Sequence, residues 1–253
     1  MKQYIEERFR EYTDAYDASD VKIKLKIDHT YRVAALCERI ACSLDLAKED
    51  VLLAWICGML HDIGRFEQVK RYGTFIDSES VDHATFGADL LFLEGLYEQI
   101  IPDQYPPGEK ALIEKAIRAH NRFRIPEGLS EREQLFARIL RDADKIDILR
   151  VNYETPIEEI YNTTIEDFKK ADVSEDVKQA FRERRCAKRH DKTTSIDHLV
   201  GHVCLIFELE FPESLKIVRE QGYVWKLLEF ASDNPKTEEW FSYMRSEMRD
   251  YVN

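Results

Sequence analysis

The sequence predicts an all-α protein, a helical bundle extended by further helices toward its C-terminus. Three observations lead there. The 253 residues include only 9 Gly and 7 Pro, while Ala, Leu, Glu, Lys and Arg are abundant. Apolar residues recur at steps of three and four. No run of alternating apolar and polar residues is long enough to make a sheet.

Residues 3–17 form the first expected helix, with Tyr4, Ile5, Phe9, Tyr12 and Tyr16 on its apolar side. Residues 21–44 read as a longer one, on which His29, Val33, Leu36 and Ile40 make the apolar stripe. Asp45 interrupts it, and Asp50 can cap the next helix, which runs to His61 or Asp62 and closes at Gly64. Residues 65–80 are loop-like, with Gly73 and Asp77-Ser78-Glu79-Ser80 as turn material. Ser80 or Asp82 starts a helix through about Leu93, with His83, Phe86, Gly87 and Leu90 on one face. After the break at Pro102, Pro106 and Pro107, a helix from about Gly108 ends at His120, with Ile113, Ala116 and Ile117 on the same face. Arg122 to Gly128 is loop, and Ser130 and Glu133 form a capping box that opens a strong helix to about Val151. Beyond Pro156 come a short helix, another over 174–185, and three more over roughly 195–209, 213–230 and 236–251. Residues 1–151 are expected to be one domain, with 152–253 a helical layer covering it.

Composition narrows the function. The net charge of −12 disfavours nucleic acid and anionic membrane surfaces, which attract basic patches. The five Cys (37, 42, 57, 186 and 204) are scattered without a C-x-x-C pair, which fits a reducing cytoplasm. The N-terminal segment has no apolar core, so no signal peptide is expected there. The longest apolar run, Val51 to Leu60, is too short to span a bilayer.

Trp55 to Arg65, W-I-C-G-M-L-H-D-I-G-R, carries the chemistry. An adjacent His61-Asp62 pair ends an apolar run, and burying such groups without partners costs roughly 2–7 kcal/mol each. One histidine on an apolar face is ordinarily a hydrogen-bonded core residue. Here His29, His61, His83 and His120 lie on the apolar faces of four separate helices, and an Asp stands beside one of them. Imidazole and carboxylate donors without thiolate suit Mn, Fe, Co, Ni, Zn or Mg. In R-D-A-D-K-I-D, Asp142, Asp144 and Asp147 are all candidates for a further ligand, and periodicity does not separate them.

The order His29, His61-Asp62, His83, His120, D-A-D-K at 142–145 resembles the HD superfamily of metal-dependent phosphohydrolases, in its two-metal H…HD…H…H…D form. The resemblance covers about residues 21–151 and implies an HD-domain helical bundle. It favours Asp144 as the last ligand, with Asp142 second, because the family pattern places a small residue before the ligand and a basic one after it. It implies two divalent metal ions, with Asp62 bridging both, His29, His61 and Asp144 completing one site, and His83 and His120 serving the other. The implied activity is hydrolysis of a phosphoester of a nucleotide or small phosphorylated metabolite through a metal-bridging hydroxide. Some relatives use a di-iron centre and dioxygen instead, and a non-catalytic binding module is the third alternative. Arg65 and Lys145, each beside a ligand, are candidates to hold the phosphate. Lys70, Arg71, Arg122 and Arg124 read as solvated loop charges. The basic run at 182–192 is a candidate lid over an anionic substrate. His198 and His202, four apart on one helix, lack the intervening glutamate of the zinc-protease motif and read as polar members of the C-terminal packing layer.

Overall fold

A computed structural model describes residues 1–17 and 19–252. Among these residues the fold is all-α, without strands. They divide into two compact units, Met1–Asp144 and Lys145–Asn253.

The first unit contains α1 (Lys2–Thr13), α2 (Val21–Ser43), α3 (Lys48–Leu60), α4 (Gly64–Tyr72), α5 (His83–Phe92), α6 (Leu96–Ile100), α7 (Lys110–Ala119) and the start of α8 (Glu131–Glu154). Local chemistry sets several of these ends. The Asp20 carboxylate accepts from the Lys22 N–H at the start of α2, and Asp82 accepts from Thr85 at the start of α5. At α8 the Ser130 N–H donates to Glu133 while the Glu133 N–H donates to the Ser130 hydroxyl, the two halves of a capping box. Ile5, Phe9, Ile40, Leu53, Ile56, Met59, Leu60, Ile63, Phe66 and Phe136 are fully buried, and Phe9 meets Phe66 edge to face.

Several boundaries differ from the sequence reading. Residues 65–80 are not all loop, because α4 occupies Gly64–Tyr72. Gly64 does not stop a helix; it is the first residue of α4, and a Cβ on it would lie 2.7 Å from Gly87 Cα and from the His83 carbonyl oxygen. Two glycines face to face let α4 and α5 touch backbone to backbone. Asp50 is not the cap of α3: Ala47 holds that position, and Asp50 sits in the first turn, where it accepts from Arg132 at 2.6 Å. α1 ends at Thr13, before Tyr16.

The second unit holds the rest of α8 and then α9 (Ile157–Tyr161), α10 (Ile165–Lys170), α11 (Glu175–Arg182), α12 (Ser195–Val203), α13 (Pro212–Gln221), α14 (Tyr223–Leu228) and α15 (Pro235–Val252). The helix expected over 213–230 is broken at Gly222, whose φ of 70° turns the chain between α13 and α14. The helix expected over 195–209 ends at Val203 and tightens into a 3₁₀ turn, Cys204–Glu208. Phe168 and Phe241 are buried and both meet the half-buried Phe230, while Phe181 packs edge to face on Trp240. Among the described residues no helix is long and apolar enough to cross a membrane.

Candidate metal centre

The centre lies in the first unit, where five elements deliver their side chains to one buried point. α2 brings His29 and Lys26; the end of α3 brings His61 and Asp62; α5 opens on His83; α7 closes on His120; α8 brings Asp144. His29, His61, Asp62, His83 and His120 are buried, Asp62 to 2% exposure. The close approach of α2 and α3 makes this possible. A Cβ on Gly58 would sit 2.5 Å from Ala34 Cα, so the glycine lets the two backbones meet.

The Asp62 carboxylate faces two ways. Its Oδ2 lies 3.5 Å from His29 Nε2 and 3.6 Å from His61 Nε2. Its Oδ1 lies 3.6 Å from His83 Nε2 and 3.9 Å from His120 Nε2. Asp144 Oδ1 is 3.2 Å from His29 Nε2 and 3.8 Å from His61 Nε2. Within this cluster, the ligand atoms of His29, His61 and Asp144 lie within 4.8 Å of one another, as do those of His61, Asp62 and His120.

The histidine tautomers say what such a cluster can hold. His61 Nδ1 donates to the Gly58 carbonyl at 2.7 Å, and His120 Nδ1 to the Ile117 carbonyl at 2.7 Å. His83 Nδ1 donates to Asp77 Oδ2 at 2.6 Å. A neutral imidazole has one N–H, so each of these three rings presents a lone pair at Nε2. His83 Nε2 and His120 Nε2 then face each other at 3.1 Å, lone pair to lone pair. A proton between them would require an imidazolium. Burial opposes that, with Arg65 adding for His83 and His61 adding for His120, and pushes both rings down to about 4. His61 is lowered by burial as well. Buried donors of this kind, beside carboxylates, fit a bound cation.

Two residues that the sequence reading passed over complete the surroundings. Lys26 Nζ lies 2.7 Å from Asp62 Oδ2. Asp77, placed in turn material, holds the far nitrogen of His83 and is itself held by Arg65 Nη1 at 2.9 Å and Gln68 Nε2 at 3.1 Å. A carboxylate behind a ligating imidazole fixes its tautomer and raises its basicity. Lys26 sits one turn before His29, a spacing that could have marked it; nothing local marks Asp77. Burial would raise the Asp62 carboxyl, yet Lys26, His61, Arg65 and His83 hold it well below the ordinary value. Asp144 and Asp77 are likewise held low against burial, Asp144 first by His29 and Asp77 first by His83.

The remaining sequence candidates fall as follows. Arg65 spends Nη1 on Phe75 O, Gln68 and Asp77, and sets Nε 3.6 Å from Asp62 Oδ1. Lys145, in the second unit, pairs with Glu208 at 3.2 Å. Lys70 and Arg71 belong to α4 and face Glu67. Arg122 donates to the Thr85 hydroxyl at 3.1 Å.

These histidines predict a pH dependence. Below pH 6.5 an unfolded histidine binds a proton, while folded His83 and His120 do not until about 4. Between those values the unfolded state binds more protons, so stability rises with pH. In chelated protein, unfolding temperature should therefore fall steadily from pH 6.5 to 4, by an amount reflecting a few kcal/mol. Further acid then costs the stability held by the depressed Asp62, Asp77 and Asp144 carboxyls. Thermal melts across this range check it; a flat profile would mean the rings are protonated when folded.

The family model described as HD domain matches residues 27–149. No curated protein and no solved structure matches the chain.

Proposed function

We propose, from the match of residues 27–149 to the HD-domain family model, that the protein is a metal-dependent phosphohydrolase acting on a phosphoester of a nucleotide or another small phosphorylated metabolite. The observation that carries this reading is the pair of facing Nε2 lone pairs on His83 and His120, with Asp62 Oδ1 beside them and its Oδ2 turned to His29 and His61. In this reading Asp62 would be a ligand to both of two divalent ions. His29, His61 and Asp144 complete one set, and His83 and His120 the other.

When bound, such ions supply Lewis acidity toward phosphoryl oxygens and bring the pKa of water toward neutrality. The chain's own residues do the rest. The Gly58 and Ile117 carbonyls hold the proton on Nδ1 of His61 and His120, so Nε2 faces inward unprotonated. Asp77 does the same for His83 through a charged acceptor. Arg65, held by Asp77 and Gln68, and Lys26, 2.7 Å from Asp62, add two positive charges to a buried centre. Fixed positive charge where a phosphoryl group gains negative charge favours the transition state over the ground state.

The test is elemental analysis of protein purified without chelator, followed by phosphate release from a panel of nucleotides and sugar phosphates. The expected result is about two ions of Mn, Fe, Co, Ni, Zn or Mg per chain and release from some member of the panel. His61→Ala should lose release and about half of the metal. Iron without release on any member would turn the reading to an oxygenase, checked by oxygen uptake, and another metal without release to a non-catalytic binding role. No metal after reconstitution would overturn the reading altogether.

A further inference from the structure

The second unit holds a polar cluster that the metal centre leaves unused. His198 and His202 stand one turn apart on α12 and share a face. Tyr161, at the end of α9, stacks on His202 with ring centres 5.9 Å apart and sets its hydroxyl 3.4 Å from His202 Nδ1. The same ring lies 6.3 Å from His198. Lys192 reaches this face across Gly201. A Cβ on Gly201 would lie 2.5 Å from Lys192 Cε and 2.9 Å from its Nζ, so glycine at that position lets the ammonium lie down on the helix.

The charges around it leave the lysine uncompensated. In the basic run at 182–192, Arg182 pairs with Glu175 and Arg185 with Glu183. Asp197, the carboxylate on α12 nearest in sequence, accepts from the backbone N–H groups of Ser174, Thr193 and Thr194 at 2.8 to 2.9 Å, so its oxygens are engaged in capping. Lys192 has no ion-pair partner among the described residues. Burial lowers its amine, and Arg189 adds to this against Cys186, Cys204 and Asp197. Burial, then Lys192 and His198, pushes His202 down to about 3. His198 is lowered by burial and then by Lys192. Both rings are therefore neutral near pH 7; with the Tyr161 hydroxyl donating to His202 Nδ1, His202 offers its N–H at Nε2, and His198 offers one of its own. Lys192 is half-buried, and packing alone does not call for an ammonium there, since a methionine would fill the same volume.

One ammonium, two neutral imidazoles and a phenol thus lie together beside Asp197, whose oxygens are already engaged, in a chain of net charge −12. Several donors around one positive charge match an anion with several oxygens. We propose that Lys192, His198, His202 and Tyr161 form a phosphoryl-binding site of the second unit. The assignment stands independently of what the metal centre does.

Proton NMR on the full chain tests it. The seven histidines give seven imidazole signals, and His198→Gln and His202→Gln assign two of them. Titration with inorganic phosphate at pH 7.5 should shift the His198 and His202 signals saturably. Lys192→Met should weaken half-saturation at least ~10-fold, and Gly201→Ala, which keeps the charge but displaces the ammonium, should weaken it too. His61→Ala should leave the titration intact. Shifts that never saturate, or equal half-saturation in Lys192→Met, would overturn the site. Loss of the shifts in His61→Ala would overturn it also, because they would then report phosphate bound at the metal centre. Given the expected titration, a raised KM for a phosphoester in Lys192→Met assigns the site to the substrate's own phosphate. An unchanged KM assigns it to a separate phosphorylated ligand.

Discussion

Asp62→Asn is expected to abolish turnover, by at least ~10³-fold in kcat/KM, and to empty both metal positions together. The substitution keeps the size of the side chain and one of its oxygens, so a defect reports charge and ligation. Asp62 presents one oxygen to His29 and His61 and the other to His83 and His120, all at 3.5 to 3.9 Å. If that residue becomes an amide, the His83–His120 half is left without a carboxylate and the His29–His61 half keeps only Asp144. His83→Ala makes the comparison. It removes one donor from the Oδ1 side and leaves His29, His61 and Asp144 intact, so about half the metal should survive. The two variants should also differ in stability. Asp62→Asn strips a counter-charge from Lys26 at 2.7 Å and from Arg65 at 3.6 Å, both only about 15% exposed along the side chain. Uncompensated buried charge is a recognised source of multi-kcal/mol losses. Circular dichroism and a melt on each variant separate ligand loss from unfolding. Retention of full metal by folded Asp62→Asn would remove this carboxylate from the centre.

Some of this centre could be read in the chain and some could not, for physical reasons. The His61-Asp62 pair was legible because polar groups at the end of an apolar run demand partners. His29, His83 and His120 were legible because helical periodicity put them on faces that must be buried. Asp144 was less so. Asp142, Asp144 and Asp147 crowd within two turns of one helix, and only the fold sets Asp144 3.2 Å from His29. Lys26 and Asp77 were passed over because their meaning lies in distance through space. Lys26 precedes Asp62 by 36 residues, and Asp77 looks like any turn aspartate until His83 Nδ1 is seen against it. The missed helix α4 has a similar cause. A glycine reads locally as a break, whereas Gly64 serves a close crossing with Gly87. At Gly222 the opposite happened: the apolar pattern runs on across a residue whose positive φ ends the helix. Periodicity reports which face is buried and is blind to what the opposing backbone requires.

The same blindness makes Gly58 the position with the largest expected structural effect. In an isolated helix Gly58→Ala would gain about 1 kcal/mol from propensity. Here the new Cβ would lie 2.5 Å from Ala34 Cα, 2.8 Å from Ala34 N and 3.1 Å from the Val33 carbonyl carbon. All three are backbone atoms, so no side chain can rotate aside. α2 must move away from α3, and such overpacking typically costs 1–3 kcal/mol, here toward the upper end or beyond: about 3 kcal/mol by urea denaturation. Gly108→Ala, with open space around it and no positive φ, should be close to neutral. The metal centre should suffer more than stability alone implies. α2 carries His29 and α3 ends at His61, whose Nε2 atoms lie 3.3 Å apart, and the Gly58 carbonyl is itself the acceptor that fixes the His61 tautomer. Spreading the helices separates two donors and disturbs the group orienting one of them. Metal affinity of the folded variant should therefore drop at least ~10-fold, the scale on which supporting contacts act. If Gly58→Ala matches the parent in both urea midpoint and metal affinity, α2 and α3 do not cross here as closely as described. If stability falls but affinity holds, the crossing supports the bundle without positioning the donors.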